Sequence, residues 1–245
     1  MSADAPCPEC GKLAGYSLLG DNLRDVDSGW IRNVMVGLRV IAVAYIFFTI
    51  QYLLHYLPAL GVRESDFDAA VIRNCVALAG WLAIIVGVFM VTAPESSGSL
   101  IARRRLLATI LRWTTVLSAV EFFVPEDWLH RAGDTGFIAA IIVYSVVLLL
   151  SQSLLWLHLR TIVARTPRRE VYKALSIALV LTVAIYVAAS RAVLHLASRL
   201  ATTPSAPTGL HLTQVSLRLV HYAMALFLLP LTLKAIRRTI GYWDN

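Results

Sequence analysis

Two sets of side chains in this sequence have the types and spacing that chemistry requires. The first is a pair of cysteines, Cys7 and Cys10, inside the stretch CPECGK. Two thiolates separated by two residues can hold one metal ion, and a structural zinc site needs four ligands of this kind. The second set consists of histidines, arginines and a glutamate in or beside long apolar runs, where polar groups are costly and usually functional.

The cysteine pair supplies half of a zinc site. The third cysteine, Cys75, falls in a distant apolar run, and no histidine lies near Cys7 in the sequence. Three interpretations stay open. Two chains share one zinc ion through Cys7 and Cys10, a partner protein completes the site, or the pair binds no metal.

The same stretch, CPECGKL, resembles the first knuckle of the zinc-ribbon family and the short CPxCG heads of uncharacterised bacterial membrane proteins. The resemblance covers residues 7–12, and the sequence lacks the second knuckle of a zinc ribbon. It implies a metal-linked or partner-binding head on a protein of the bacterial inner membrane, with zinc held by Cys7 and Cys10.

Polar residues of the apolar runs predict a cluster in the outer half of a membrane. The cluster is expected to comprise His55, Glu121, Arg191, His195, Arg218 and His221. The last four fall into two pairs, spaced four and three residues apart, so the members of each pair share one helix face. Glu121 is predicted to pair with Arg191 or Arg218, which would form an outward-facing polar chamber. The structural alternative is that these side chains extend from helix ends to lipid headgroups.

The three histidines of this cluster, His55, His195 and His221, suit a cofactor or proton transfer. Imidazole titrates near neutral pH and coordinates a metal or haem iron through a ring nitrogen. A haem b site needs two imidazoles at matching depth on facing helices, and His55 with His195 meets the depth requirement. The alternative for His55 and His195 is that they are interfacial residues near the ends of their helices, whereas His221 lies deeper.

Transmembrane helices are the elements that position all these residues. The 245 residues are 58% hydrophobic and only 15% charged, with a mean hydropathy of +0.69, which is too apolar for a soluble domain. Six runs are predicted to cross a bilayer, in a membrane where a helix needs about 20 residues: 40–60, 75–93, 106–124, 137–159, 174–190 with an extension to 200, and 219–233, the shortest uncharged run. The third is the weakest, because Arg112 and Glu121 interrupt it. The sequence therefore predicts an all-α polytopic membrane protein with six transmembrane helices.

Lysine and arginine set the predicted orientation. Most of the 22 basic residues fall on one side of the six runs, mainly in ARRRLL and RTIVARTPRREVYK, so this side and both termini are expected to be cytoplasmic. The net charge of +7 is therefore attributed to membrane topology, and no nucleic-acid partner is expected. We expect a cytoplasmic head at 1–33 with an interfacial helix, a six-helix domain at 34–239 and a cytoplasmic tail at 240–245.

Two further patterns predict contacts between helices. Small residues at helical spacing in the second run should allow close packing: Ala77, Gly80, Ala83 and Gly87. Ser145 and Gln152, seven residues apart in the fourth run, are expected to form hydrogen bonds to a neighbouring helix.

Taken together, these features favour a non-enzymatic protein of the cell membrane, either an accessory subunit or a transporter-like protein, present as a homo-oligomer or with a membrane partner. One alternative is an electron-transfer subunit that binds haem b or quinone through the outer histidines. Another is a membrane enzyme that acts on a lipid-borne substrate through Glu121 and His221. The sequence contains no nucleotide-binding glycine loop and no common hydrolase motif.

Overall fold

A computed structural model describes residues 23, 27–54, 67–94, 101–120, 133–166, 168–200 and 208–241. Within these ranges the chain forms six α-helices and no strand, and the all-α prediction is confirmed there. The helices are α1 Ser28–Leu54, α2 Phe67–Val91, α3 Ile101–Val120, α4 Gly133–Val163, α5 Arg169–Leu200 and α6 Thr208–Gly241.

Five of these helices contain a segment long and apolar enough to cross a membrane. The segments are Ser28–Leu54, Val71–Val91, Ile142–Val163, Arg169–Ala188 and Ser216–Gly241. The protein is therefore a multi-pass integral membrane protein. Helix α3 is not among the five, because three consecutive arginines and Arg112 put too many charges into a helix of 20 residues. A sixth span through α3 and the cytoplasmic position of both termini stay predictions.

The described helices form a closed ring. Consecutive helices pack side by side, α6 returns to α1, and α4 also contacts α6 across the interior. Interior side chains such as Tyr45, Trp156 and Leu229 are fully buried. On the outside, Trp113 and Phe227 are 64% and 67% exposed, which is unfavourable in water and suits a surface covered by lipid.

Helices α1 and α2 pack closely because glycines line their interface. A Cβ atom on Gly37 would lie 2.8 Å from the carbonyl oxygen of Gly87. One on Gly87 would lie 2.6 Å from Cγ1 of Ile41, and one on Gly80 would lie 2.8 Å from the ring of Phe48. The predicted small-residue stripe on the second run is therefore confirmed as a helix-packing surface at Gly80 and Gly87.

The start of α1 is fixed by Asp27. Its Oδ1 accepts a hydrogen bond from the backbone N–H of Gly29 at 2.9 Å, as expected for an N-cap residue. The helix begins well before the apolar run at 40–60, because Trp30 and Val34 already pack into the core. Residues 28–33 are part of α1, which is long and apolar enough to cross a membrane.

Candidate functional site

His221 lies at the centre of a polar cluster inside the ring of helices. It comes from α6 and is fully buried. Its Nδ1 is 3.4 Å from Oγ1 of Thr182 on α5, and its Nε2 is 3.3 Å from Oε1 of Gln152 on α4. The hydroxyl of Tyr45 on α1 donates a hydrogen bond to the same Oε1. Four helices therefore meet at this one imidazole.

One hydrogen-bonding scheme satisfies these contacts with every group neutral. Because Oε1 of Gln152 accepts, Nε2 of His221 carries the proton and donates to it. Nδ1 then accepts from the hydroxyl of Thr182. This assignment of the tautomer follows from the network, given the orientation of the Gln152 amide.

Aromatic rings enclose the imidazole of His221. Four of them meet it at interplanar angles from 64° to 77°, the edge-to-face arrangement that aromatic pairs prefer. The distances between ring centroids are 5.4 Å for Tyr186, 5.8 Å for Tyr222, 6.0 Å for Tyr45 and 6.3 Å for Trp156. The imidazole is thus enclosed by aromatic rings, three of which carry hydroxyl groups.

Arg218 lies three residues before His221 on α6 and so shares its helix face. Its Nη1 donates a hydrogen bond to the hydroxyl of Tyr52, and its guanidinium carbon is 5.6 Å from the centroid of the same ring. Its Nε is buried and has no hydrogen-bond partner among the described residues. The guanidinium group therefore points into the bundle and has a donor to spare.

The structure places the predicted site residues as follows. Arg218 and His221 come together in the cluster, while Arg191 is exposed on α5. His195 lies on α5, outside the part of that helix whose side chains are described. Outside the described residues altogether lie His55, Glu121, Cys7 and Cys10. The predicted pairing of Glu121 with an arginine, and the zinc and haem sites, therefore stay predictions.

Sequence reasoning missed the central role of Tyr45. It lies in an uncharged apolar run, where a tyrosine gives no signal of its own. A signal is present in its spacing, because Tyr45 and Tyr52 are seven residues apart and share one face of α1. The predicted hydrogen bonding of Gln152 to a neighbouring helix is confirmed by its contacts with Tyr45 and His221.

Metal ligands do not converge in the described part of the chain. No group of three histidine, cysteine, aspartate or glutamate side chains there could hold a metal ion. Comparison of the chain with protein-family models, with curated proteins and with solved structures finds no match. A function must therefore be argued from the cluster around Arg218 and His221 itself.

Proposed function

We propose that this protein is a non-enzymatic, transporter-like membrane protein that binds the carboxylate group of an organic anion at Arg218. The five apolar helices make it an integral membrane protein. The binding group is carried by α6 and faces α1, in the half of the bundle where α1 ends and α6 begins. In the predicted topology this is the outer half of the membrane.

The buried Nε of Arg218 is the observation that carries this proposal. A guanidinium group has five N–H donors in a planar fork and keeps its charge in proteins. Here one donor is used by the hydroxyl of Tyr52, and the buried Nε is unused within the described residues. A buried donor without a partner is costly, so the arrangement supports a ligand with acceptor atoms.

Charge balance favours an anionic ligand. The acidic residues whose side chains the structure describes, Asp27 and Glu170, lie at or next to the starts of α1 and α5, where the helix dipole stabilises them. Arg218 instead lies ten residues, about 15 Å, beyond the start of α6. Four tyrosines interact electrostatically with it, namely Tyr52, Tyr144, Tyr186 and Tyr222, and so does His221. No acidic side chain that the structure describes pairs with Arg218, and a bound anion would supply a negative charge there.

A carboxylate fits the chemistry of this site. Its two oxygens can accept two parallel N–H bonds from the guanidinium fork, which is stronger and more specific than a single neutral hydrogen bond. The tyrosine rings next to Arg218 offer apolar surface to the organic part of the ligand, and their hydroxyl groups can donate to it. The tyrosines thus suit an aromatic or short aliphatic acid.

The haem alternative is less well supported at His221, because both of its ring nitrogens already have hydrogen-bonding neighbours. A haem site would instead use His55 and His195. We further propose that the head with Cys7 and Cys10 links two copies of the chain through a shared zinc ion.

Binding of benzoate to the purified protein in detergent tests the proposal. We expect saturable quenching of tyrosine and tryptophan fluorescence by benzoate and none by benzyl alcohol, its neutral analogue. Arg218→Gln should weaken benzoate binding about 10- to 100-fold, because it removes a charge-assisted pair worth about 1.5–3 kcal/mol. Arg218→Lys should bind with intermediate affinity, since it keeps the charge and loses the fork.

The matched control is Arg237→Gln, which removes an exposed arginine from the other end of the same helix. It should bind benzoate like the wild type. Equal affinities of Arg218→Gln and the wild type, or no saturable binding of benzoate to the wild type, would overturn the proposal.

A further inference from the structure

We propose that His221 takes up a proton when a carboxylate binds at Arg218, so that anion and proton bind together. This inference rests on the function proposed above and names the coupling ion for the same site. The two residues lie three apart on α6, about one helical turn, and both face the interior of the bundle.

The surroundings of His221 can hold both protonation states of its ring. In the neutral state Nε2 donates to Gln152 and Nδ1 accepts from the hydroxyl of Thr182. When Nδ1 gains a proton it becomes a donor, and the Thr182 hydroxyl can rotate to accept, since it has lone pairs as well as a proton. The bond from Nε2 to Gln152 is unchanged. Both ring nitrogens therefore keep a hydrogen-bond partner when the proton binds.

The charges of the groups that face His221 determine how strongly its ring binds this proton. They come from four helices: Tyr45 from α1, Gln152 and Trp156 from α4, Thr182 and Tyr186 from α5, and Arg218 and Tyr222 from α6. The tyrosines are neutral near pH 7. Among these described neighbours the fixed charge is that of Arg218, and it is positive.

Repulsion between two cations explains the coupling. Burial of the ring opposes a positive charge on His221, and the charge of Arg218 one turn away opposes it further, because screening is weak there. A carboxylate bound to the guanidinium group cancels this repulsion and attracts the new charge. By linkage, the anion increases the affinity of His221 for a proton, and the proton increases the affinity of the site for the anion by the same factor.

The step is balanced without any further reactant. A carboxylate anion enters from solution and forms hydrogen bonds to Arg218, and one proton from solution forms an N–H bond at Nδ1 of His221. No bond is broken in the ligand and no electrons are transferred. The charge of the occupied site equals that of the empty one, which favours passage of the pair through a low-dielectric interior.

Proton uptake measured during benzoate binding tests this inference. The purified protein is titrated with benzoate in weakly buffered detergent solution containing a pH indicator, between about pH 6 and pH 8, where benzoate is fully ionised. We expect up to about one proton taken up per bound benzoate, and a dissociation constant that rises by up to about 10-fold per pH unit. Binding without proton uptake and with the same dissociation constant across this range would overturn the coupling.

Two variants test whether His221 is the group that binds the proton. His221→Gln should bind benzoate with a dissociation constant that does not depend on pH and without proton uptake. Thr182→Val, which removes the hydroxyl that accepts from the protonated ring, should reduce proton uptake while keeping the binding seen at high pH. If the wild type takes up protons and both variants still do so fully, the proton is held elsewhere and the inference fails.

These outcomes are separate from a failure of the proposed function. The proposed function fails when benzoate does not bind or when Arg218→Gln binds it normally. The coupling fails when benzoate binds at Arg218 and no proton follows.

Discussion

Arg112 on α3 holds the carboxyl-terminal end of α2 through Thr92. Its Nη2 donates to the Thr92 carbonyl oxygen at 2.5 Å and its Nε to the Thr92 hydroxyl at 2.7 Å. Two more side chains reach the adjacent carbonyl groups, since Trp30 Nε1 donates to Ala93 at 2.9 Å and His158 Nε2 lies 3.3 Å from the Val91 oxygen. The carbonyl groups that a helix end leaves without partners are thus satisfied by three other helices.

Replacing Arg112 with methionine should destabilise the protein. The change removes two hydrogen bonds from a charged donor and the positive charge at the negative end of the α2 dipole, so we expect a loss of about 2 kcal/mol. A lower midpoint of thermal unfolding in detergent, together with faster amide exchange in the last turn of α2, would record it. Arg105→Met, an exposed position on the same helix, should change neither measurement. Equal unfolding midpoints for the two variants would contradict the role of Arg112 as a cap.

Arg112 also shows how far the sequence predicts this fold. The apolar runs indicated that these helices exist and not where they begin and end, because hydropathy over about 20 residues depends on the bilayer and not on packing. In the third run Arg112 signalled only a weak span. Its actual contact depends on α3 lying beside the end of α2, which no local pattern encodes.

The candidate site was only partly predictable for a similar reason. Arg218 and His221 are conspicuous in an apolar helix, since such residues are costly there. Tyr45 and Thr182 are not, because both are common in membrane helices and acquire meaning only when α1, α4, α5 and α6 meet. The sequence therefore identifies Arg218, His221 and the hydrogen bonding of Gln152, and leaves the contacts of Tyr45 and Thr182 to the tertiary structure.

Adding one methyl group at Gly87 should disturb the α1–α2 interface. A Cβ there would lie 2.6 Å from Ile41 Cγ1 and 2.9 Å from the Gly37 oxygen, so the helices must separate. We expect Gly87→Ala to cost about 1–3 kcal/mol, even though alanine is the better helix former. Gly241→Ala is the matched control, because a Cβ at that position meets no atom within 4 Å. The unfolding midpoint in detergent should fall for Gly87→Ala only. An unchanged midpoint for Gly87→Ala would show that the two helices accommodate the methyl group without loss of stability.

The proposed link between two cysteine heads predicts one zinc ion shared by two chains. Metal analysis of the purified protein should find about one zinc ion per two chains, because each chain supplies two of the four ligands. Cys7→Ser should lose the metal, whereas Cys75→Ser, an exposed position on α2, should retain it. Native mass spectrometry should show a dimer that the Cys7→Ser change weakens. Zinc at background level in the wild type would show that the cysteine head binds no zinc.

Tyr45 and Gln152 should behave as a coupled pair in unfolding measurements. Tyr45→Phe removes one hydrogen bond and should cost about 1 kcal/mol. Gln152→Leu should cost about 2–3 kcal/mol, because it leaves the Tyr45 hydroxyl and Nε2 of His221 buried without a partner. In the double variant the hydroxyl is already gone, so the combined loss should be smaller than the sum of the two.

A double-mutant cycle measured by unfolding in detergent gives the coupling, which we expect to exceed about 0.5 kcal/mol. The control cycle pairs Gln152→Leu with Thr232→Val, a buried residue on α6 whose hydroxyl bonds to the Leu228 carbonyl of its own helix at 2.9 Å. That cycle should be additive, because Thr232 shares no partner with Gln152. Additive losses in the Tyr45 cycle as well would mean that the network around His221 is not a single unit, and the tautomer assigned to its ring would lose its support.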